Sequence, residues 1–560
     1  MRTKRVRSVA VAAVVAAGLA LVVSACGGGG GGGGSSSSTT SAQGKTFSVL
    51  KVVWGTTDYM DPGLSYRLES WQIFQDVYLG LLAKQYQTCG VGDCTKIIPA
   101  LAQSLPVVNK AGTDFKFTLR KGLKYSNGET VKASDFKHSI IRDFKLNSPG
   151  IGFYSNIAGS AACEANPPKC SDISGIIVDD KAGTVEIKLM APQSDFEYIL
   201  TTFFSAIVPS STPDKDTENP PPAAAGPYYI SSYKPSRSWV AQRNPHYKPI
   251  PGIPTGNPDK IVALLTDDLA QAAQYVESGQ YNYDEKLLPT DRLKQLQSKY
   301  GSQIRLWRTP STYYFAMNER LKPFNNLKAR QAVNYAINRQ TLVNLRGGLG
   351  VPTWNFLPPT YPQYKKITPT PYPYSVSKAK ELVKESGTAG MTVGVYTISD
   401  DTVDKAQGEY LAQQFSKIGW KPKLHELAGA NYFTIIGNQA TKAQIMWTNW
   451  FEDYPYPTDW FDVLENGANI HHVHNNNNSN VNNKDTNNEI DRLGHLAPEQ
   501  AFSSSTTAAW AALDKKLMVK YASEAPFLNA VLTSFFSAKT DPNCDVFDDL
   551  FDDPAEMCLK

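Results

Sequence analysis

One short segment of the chain gathers the side chains best suited to holding a small molecule. Trp447–Phe461 carries the aspartates Asp453 and Asp459 among seven aromatic residues: Trp447, Trp450, Phe451, Tyr454, Tyr456, Trp460 and Phe461. A carboxylate can fix an ammonium group by a charge-assisted hydrogen bond, and aromatic walls can accept varied side chains. The same rings could instead pack in a core around a proline turn. The segment is therefore a candidate binding site with a purely structural alternative.

The histidine cluster His471-His472-x-His474 is a second place where side chains could do chemistry, because three imidazoles can bind nickel or zinc. No carboxylate accompanies it at a fixed spacing, and an asparagine-rich tract follows it. Such a composition favours a solvated loop. We predict no metal site here, although a chelated metal stays an alternative ligand.

Motifs of catalysis are missing from the sequence. It contains no Gly-x-Ser-x-Gly, no His-Glu-x-x-His and no P-loop pattern. The acidic stretch from Asp541 to Asp553 lacks the spacing of a calcium loop, so we expect a solvated helix face there. The sequence thus predicts neither an enzyme nor a bound cofactor.

The N-terminus has the pattern of an exported lipoprotein. Basic residues are followed by the apolar run Val9–Val23 and then by Ser24-Ala25-Cys26, which resembles a bacterial lipobox. We predict a signal peptide at 1–25, lipidation of Cys26 and a flexible Gly/Ser tether over 26–45. The alternative is an ordinary cleavage site that happens to precede a cysteine. The expected location is the extracytoplasmic face of the bacterial cell membrane, where a lipid anchor holds the protein.

Charge and composition narrow the class further. The chain has 56 Lys+Arg and 52 Asp+Glu, and its excess of four equals the basic residues of the predicted signal peptide, Arg2, Lys4, Arg5 and Arg7. The remainder is formally neutral, which excludes a sequence-independent nucleic-acid binder. With 41% hydrophobic and 11% aromatic residues, the chain can bury a large core and is not disordered throughout.

Cysteine usage agrees with an oxidising location. Apart from Cys26, six cysteines remain, and proximity favours three local disulfides over the other connectivities: Cys89–Cys94, Cys163–Cys170 and Cys544–Cys558. A zinc site at Cys89 and Cys94 is the rival interpretation, but no second Cys or His pair lies nearby.

Hydrophobic periodicity predicts an α/β body with at least two lobes. Strands are expected at Phe115–Arg120, Ile176–Leu189 (a hairpin), Met391–Tyr396 and Lys421–Glu426, and helices from Ser134, at Asn326–Leu345, at Ser377–Glu385 and at Asp404–Lys417. Gly419 follows the last helix as a C-cap. The order strand, helix, strand over 391–426 predicts a βαβ unit with parallel pairing.

Several blocks of the sequence resemble family 5 of the bacterial extracellular solute-binding proteins, which are receptors of ABC importers for oligopeptides, dipeptides or nickel. The blocks occur in the family's order: Ile98–Ser104 with Phe117–Gly128, Gly226–Tyr228 with Arg243–Tyr247, Pro323–Arg339, and Leu411–Gly419 leading to Trp450–Pro457. Nearly the whole body is covered.

This resemblance implies a type II periplasmic-binding-protein fold, in which two α/β lobes joined by two crossing strands close on a ligand. Lobe I is expected to be discontinuous and to carry an extra subdomain. The implied boundaries are 46–308 for lobe I, about 75–190 for its subdomain, 309–525 for lobe II, and 526–560 for the return to lobe I with the C-terminal tail.

The resemblance also implies roles for individual residues. Asp453 matches the aspartate that holds the ligand's α-ammonium in peptide-binding relatives, and Tyr59 is expected to face the cleft from lobe I. The remaining candidates are the aromatic residues Trp447, Trp450, Phe451 and Tyr454. Relatives often have a second aspartate where this chain has Tyr456, and Tyr396–Asp404 offers no Arg or Lys for a ligand carboxylate. These departures favour oligopeptides over dipeptides.

The expected function is therefore that of a monomeric, lipid-anchored substrate-binding protein that captures peptides and delivers them to an ABC permease and its ATPase subunits. A receptor for a metal chelate or an oligosaccharide is the alternative within the same fold. A secreted lipoprotein hydrolase is the alternative from another class. A hydrolase would turn its ligand over, whereas a receptor releases it unchanged.

Overall fold

A computed structural model describes residues 46–86, 95–544 and 550–560. The predicted signal peptide, lipidated Cys26, the tether and the predicted Cys89–Cys94 disulfide lie outside these ranges. Disulfide bonds join Cys163 to Cys170 and Cys544 to Cys558. None of the helices within these ranges combines the length and the apolar character needed to cross a membrane.

The structure has twenty strands within the described ranges. They are β1 (Val49–Trp54), β2 (Leu82–Lys84), β3 (Ile97–Pro99), β4 (Val107–Val108), β5 (Asp114–Thr118), β6 (Ile176–Asp179), β7 (Thr184–Lys188), β8 (Tyr228–Lys234), β9 (Ser238–Arg243), β10 (Lys260–Leu265), β11 (Tyr283–Asp284), β12 (Ile304–Arg308), β13 (Ser311–Met317), β14 (Gly350–Pro352), β15 (Thr392–Ile398), β16 (Lys421–Leu427), β17 (Ile445–Phe451), β18 (Glu524–Phe536), β19 (Thr540–Asp541) and β20 (Cys558–Leu559).

The α-helices pack on the faces of the sheets. They are α1 (Leu68–Val77), α2 (Ala133–Leu146), α3 (Ser160–Ala165), α4 (Phe196–Ile199), α5 (Leu269–Glu277), α6 (Leu293–Tyr300), α7 (Leu327–Ala336), α8 (Arg339–Leu345), α9 (Val376–Glu385), α10 (Thr402–Ile418), α11 (Gly429–Ile436), α12 (Thr458–Glu465), α13 (Lys484–Gly494), α14 (Pro498–Ala501) and α15 (Ser504–Lys515).

The main sheet falls into two halves that share one long strand. Strands β11, β1, β10, β9 and β8 form the first half, and β16, β15, β17 and β13 form the second half. The 13-residue strand β18 belongs to both, because Glu524–Leu528 pairs with β13 and Phe535–Phe536 pairs with β11, while β12 pairs with β18 alone. Two connections, β12 to β13 and β18, therefore carry the backbone from one half to the other.

The predicted βαβ unit is confirmed in the second half. Strand β15 pairs in parallel with β16 over its full length, and α10 connects the two. Asp401 starts α10 by accepting hydrogen bonds from the backbone N–H groups of Val403 and Asp404 at 2.8 and 2.9 Å. Gly419 ends it with φ of 102°, a left-handed conformation that glycine adopts without steric cost.

One predicted helix is wrong in extent. The expected helix Asn326–Leu345 is two helices, α7 and α8. Asn338 separates them because its side chain caps α8, accepting a hydrogen bond from the Thr341 N–H at 3.2 Å. An Asn side chain offers the backbone this alternative to a continuous helix.

Strands within residues 107–188 form a separate, smaller antiparallel sheet in the order β4-β5-β7-β6. It contains the predicted strand as β5 and the predicted hairpin as β6 and β7. Alternate residues Phe115 and Phe117 of β5 are buried, as the sequence pattern predicts. Helix α2 packs beside this sheet.

The expectation of a solvated loop after the histidines is wrong for the asparagines. His471, His472 and His474 are exposed, but Asn475 and Asn477 are buried. The Asn477 side chain donates hydrogen bonds to the carbonyls of Asn466 and Val481 at 3.1 and 3.0 Å. A polar side chain can be buried when its hydrogen bonds are made internally, which composition alone does not reveal.

The acidic C-terminal stretch is likewise not a solvated helix face where it is described. Asp552 and Asp553 are buried. Asp552 accepts hydrogen bonds from the Tyr283 hydroxyl at 2.9 Å and from the Arg305 guanidinium at 2.8 Å. The stretch therefore ties the C-terminus to the first half of the main sheet.

Buried carboxyl groups also lie inside the second half, where α12 ends and β18 begins. Burial, and the nearby charge of Glu319, raise the pKa of Glu465 well above its usual value. Burial and the charge of Glu465 do the same for Glu524. The folded protein therefore keeps protons on these groups at a pH where the unfolded chain has lost them.

We expect Glu465→Gln to change the pH dependence of stability. A carboxyl whose pKa is raised by folding contributes stability at low pH, which is lost as the pH rises from the unfolded towards the folded pKa. The free energy of unfolding, measured in denaturant at pH 5 and pH 8, should therefore fall less with rising pH in the variant than in the wild type. The matched control is Glu381→Gln, at an exposed position. Parallel pH profiles for Glu465→Gln and the wild type would contradict this account.

Candidate functional site

Asp453 lies where β17 ends and the turn into α12 begins. Its backbone N–H donates to Asp459 Oδ2 at 3.1 Å, and Trp450 Nε1 donates to the same oxygen at 3.3 Å. Asp459, in the first turn of α12, is buried. One buried carboxylate thus fixes both the backbone of Asp453 and the indole ring beside it.

The side chain of Asp453 is held by Tyr66, which lies in the loop between β1 and α1. The Tyr66 hydroxyl donates a hydrogen bond to Asp453 Oδ2 at 2.5 Å. The Tyr66 ring packs edge-to-face on Phe204 and on Trp450, with centroids 5.2 and 6.2 Å apart. The bond therefore joins the two halves across a small aromatic cluster.

Burial raises the pKa of Asp453 to about 7, and the neighbouring carboxylate of Glu452 adds to the rise, whereas the hydrogen bond from Tyr66 lowers it. Burial and the charge of Asp453 raise the pKa of Asp459 well above its usual value. Asp453 therefore changes its charge close to neutral pH. A cation placed beside it would favour the ionised form.

The loop that carries Tyr66 is organised by Asp58. Asp58 Oδ1 accepts hydrogen bonds from the hydroxyls of Ser65 and Ser70 at 2.6 and 2.9 Å. Asp58 Oδ2 accepts from the Tyr66 backbone N–H at 2.8 Å. These bonds close the loop between β1 and α1 and direct it towards Asp453.

A cavity of about 60 Å³ lies beside Asp453 and is lined from both halves of the sheet. Its walls include the rings of Trp71, Tyr86 and Phe203, and its polar lining includes Lys84 and Asp453. Lys84 Nζ lies 2.9 Å from the buried Glu452 Oε1. The cavity thus combines aromatic walls with groups of both charges.

A second set of contacts closes the halves together near the turn after β17. Asp195 Oδ2 accepts hydrogen bonds from the Tyr454 hydroxyl at 3.1 Å and from the Thr458 hydroxyl. Tyr198 and Tyr456 stack with centroids 6.0 Å apart. The segment after β17 therefore contacts Asp195 and Tyr198 as well as Tyr66.

The residues predicted as a binding site do not all lie together. Asp453 and Trp450 meet Tyr66 at the contact between the halves. Trp447 is buried in the second half, where its Nε1 donates to Gln407 Oε1 at 2.8 Å. Tyr454 is buried against Asp195.

Phe451 and Tyr59 occupy more open positions. Phe451 is partly exposed and packs on Tyr313, with ring centroids 6.0 Å apart. Tyr59 is 40% exposed. Burial and the charges of Asp216, Asp58 and Glu218 raise the pKa of Tyr59, so it stands in acidic surroundings. No contact with Asp453 is seen for Tyr59 among the described residues.

Sequence reasoning missed Tyr66, Lys84 and Asp195. Tyr66 and Asp453 are 387 residues apart in the chain, and Lys84 and Glu452 are 368 apart. No local spacing signals such a pair. The one sequence signal for Tyr66 is that it follows the predicted site residue Tyr59 closely in the chain.

The outer edge of β17 is open near the site. Strand β15 pairs with β17 only at Ile445 and Met446, while β13 pairs with β17 along its whole length. The Tyr432 hydroxyl donates to the Trp447 carbonyl at 2.6 Å. From Thr448 to Phe451, no described strand covers the side of β17 that faces away from β13. An uncovered strand edge can accept another strand through backbone hydrogen bonds.

Comparison with known proteins gives a consistent result. Residues 96–471 match the family described as bacterial extracellular solute-binding proteins, family 5, middle region. The glutathione-binding protein GsiB of Escherichia coli (strain K12) is 25% identical over 368 residues, which are 63% of this chain and 66% of that protein. The match therefore spans slightly less than two thirds of this relative.

Solved structures agree on the fold. The clavulanic acid biosynthesis oligopeptide binding protein 2 has a TM-score of 0.78 at 20% identity, covering 92% of this chain and 96% of that one. The periplasmic binding protein DppA from Helicobacter pylori, in complex with the peptide STSA, has a TM-score of 0.76 at 20% identity, covering 92% and 98%. The predicted type II periplasmic-binding-protein fold is thereby confirmed.

We expect Asp459→Ala to destabilise the protein by about 2–4 kcal/mol, because the Asp453 N–H and Trp450 Nε1–H then lose their shared acceptor. Unfolding in denaturant measures the loss. Asp459→Asn is the matched variant, and it should lose less because an amide oxygen can still accept. Equal stability of the two variants would show that these hydrogen bonds do not hold the turn.

Proposed function

Because the chain belongs to the bacterial extracellular solute-binding proteins, family 5, we propose that it is the substrate-binding protein of an ABC importer and captures peptides in the cleft between its halves. The observation that carries this proposal is Asp453, a carboxylate that lines a cavity with aromatic walls where the two halves meet. This family consists of solute-binding proteins rather than enzymes, so we retain no hydrolase activity.

Asp453 is the proposed partner of the peptide's α-ammonium. An ionised carboxylate in a poorly hydrated place makes a strong charge-assisted hydrogen bond to an ammonium group. The aromatic rings around it can contact side chains of different shapes without demanding one of them. Trp450, Phe451 and Tyr59 are the proposed wall residues, while Trp447 and Tyr454 support them from buried positions.

The open edge of β17 is the proposed partner of the peptide backbone. An extended peptide can add to Thr448–Phe451 as a further strand, with its N-terminus beside Asp453. Backbone hydrogen bonds supply affinity without reading side chains, which suits a receptor for many sequences. Fixing the ammonium at one end then sets the register of the added strand.

Length preference follows from the charges near Asp453. Lys84 is the one basic residue among the described residues that line the cavity, and it already forms an ion pair with Glu452. A second, dedicated clamp for a carboxylate close to Asp453 is therefore not supported. We propose that oligopeptides are favoured over dipeptides. The relatives named for glutathione and for the peptide STSA are compatible with short peptides of this kind.

We propose lobe I at 46–308 and lobe II at 309–525, with 526–560 returning to lobe I; the two halves of the main sheet support this division. The extra subdomain is proposed at about 75–190. Closure about β18 and the β12–β13 connection brings Tyr66 and Asp195 of lobe I onto the segment after β17. A ligand that contacts both lobes stabilises this closed state.

The finer parts of the proposal come from the N-terminal sequence. We propose that Cys26 is lipidated and that the Gly/Ser tether holds a monomeric receptor at the extracytoplasmic face of the cell membrane. The closed receptor delivers its peptide to a permease with ATPase subunits. Exposed His471, His472 and His474 lie outside the described cavity, so no observation favours a metal chelate as ligand.

Peptides of about three to six residues with a free N-terminus should raise the melting temperature, whereas their N-acetylated forms should do so poorly. A ligand at a hundred times its Kd adds about 2.7 kcal/mol to the free energy of unfolding. Differential scanning fluorimetry with matched peptide pairs measures both effects. Equal shifts for free and acetylated peptides would remove the ammonium role of Asp453.

We further expect peptide affinity to depend on the charge of Asp453. Since its pKa is about 7 before ligand binds, affinity should fall roughly tenfold from pH 7.5 to pH 6 as the carboxyl becomes protonated. Asp453→Asn should bind weakly and lose this pH dependence in titration calorimetry, while the exposed control Asp291→Asn should keep both. A wild-type pH profile in Asp453→Asn would reject Asp453 as the anchor.

A further inference from the structure

We propose that Tyr66 is a positioning residue for ammonium recognition: its hydroxyl orients the Asp453 carboxylate from across the contact between the halves before the ligand arrives. This inference rests on the proposed function and deepens it. It assigns a part of the ligand specificity to one hydrogen bond.

Contacts from both halves hold Tyr66 in the position from which it bonds to Asp453. On its own side, Asp58 holds the Tyr66 backbone N–H at 2.8 Å, and the Tyr66 ring packs against Trp71 and Phe204 with centroids 5.7 and 5.2 Å apart. Trp450 packs on the same ring from the opposite half. These contacts hold the backbone and the ring of Tyr66, so the position of its hydroxyl is restricted.

The target of the hydroxyl is fixed as well. Asp459 holds the backbone N–H of Asp453 and the indole of Trp450, so the carboxylate of Asp453 starts from a defined position. The Tyr66 hydroxyl donates its hydrogen bond to Oδ2 of Asp453. A carboxylate has about four lone-pair sites, so the other oxygen can still accept from an ammonium group.

Tyr66 can also touch the ligand's ammonium without leaving Asp453. A phenol donates one hydrogen bond and can accept another at its oxygen. With its hydrogen directed at Asp453, its oxygen lone pairs can receive an N–H from the ligand. An N-acetylated peptide has one N–H where an ammonium has three, so it cannot satisfy both groups.

The charged surroundings of Asp453 are acidic on balance. The titratable groups around it are Tyr66 from the loop before α1, Lys84 from β2, Glu452 after β17, Asp459 in α12, and Tyr78, Tyr86 and Asp553 in the lining of the same cavity. Lys84 is paired with Glu452. Stabilisation of an ionised Asp453 therefore depends on hydrogen bonds, of which the one from Tyr66 reaches the side chain.

The test is the pH profile of peptide binding in Tyr66→Phe. Removing the hydroxyl should move the midpoint of the affinity profile upward by about 1 pH unit, because a hydrogen bond to the charged form is lost. Affinity near pH 7 should fall about five- to tenfold for free peptides and less for N-acetylated ones. Titration calorimetry from pH 5.5 to pH 8 gives both values.

Tyr125→Phe is the matched control. Tyr125 is buried and donates a comparable hydrogen bond to Asp135 Oδ2 at 2.9 Å, away from the cleft. A purely structural loss should lower the melting temperature in both variants without moving the midpoint of peptide binding. An unmoved midpoint in Tyr66→Phe would overturn the proposal even if affinity fell.

A second readout separates this inference from the proposed function. The titration of the Asp453 carboxyl carbon can be followed by NMR in ¹³C-labelled protein without ligand, with Asp453→Asn providing the assignment. If no peptide binds the wild type, the proposed function fails. The role of Tyr66 is still decided, because an upward shift of the Asp453 midpoint in Tyr66→Phe supports it and an unchanged midpoint rejects it.

Discussion

A partly exposed carboxylate at the contact between two halves of a protein can be held by groups from both, and Asp453 is in this position. Its backbone is fixed from one side by Asp459, and its side chain is held from the other side by Tyr66. Without a cation, such a group is costly to ionise, as its raised pKa reflects. In the proposed function, a cation of the ligand offsets this cost.

Contact between the two halves at Asp453 depends on how β18 and the turn after β17 are arranged. Strand β18 pairs with strands of both halves of the sheet, so one continuous strand connects them. The turn after β17 then meets Tyr66, Asp195 and Tyr198 from the first half. Two of these contacts are hydrogen bonds and the third is an aromatic stack, so the turn is held to the rest of the molecule without a shared strand.

The fold was largely predictable from the sequence, whereas the site was predictable only in part. The βαβ unit followed from apolar spacing and from Gly419, because those signals act locally. Side chains along a strand alternate between its two faces, so the aromatic residues of β17 do not form one site. Trp447 contacts Gln407 in α10, whereas Trp450 contacts Asp459 in α12. Tyr66 could not be predicted because its partner lies 387 residues away. The buried Asn477 shows that composition misleads when a polar side chain makes its hydrogen bonds internally.

The central claim is that the closed cleft recognises an ammonium group through Asp453. A crystal structure of the protein with a bound peptide tests it most directly. The account predicts that the peptide's terminal nitrogen lies about 2.7–2.9 Å from a carboxylate oxygen of Asp453, with the peptide extended along the open edge of β17. A terminal nitrogen bound to any other group, with Asp453 still contacting Tyr66 alone, would contradict it.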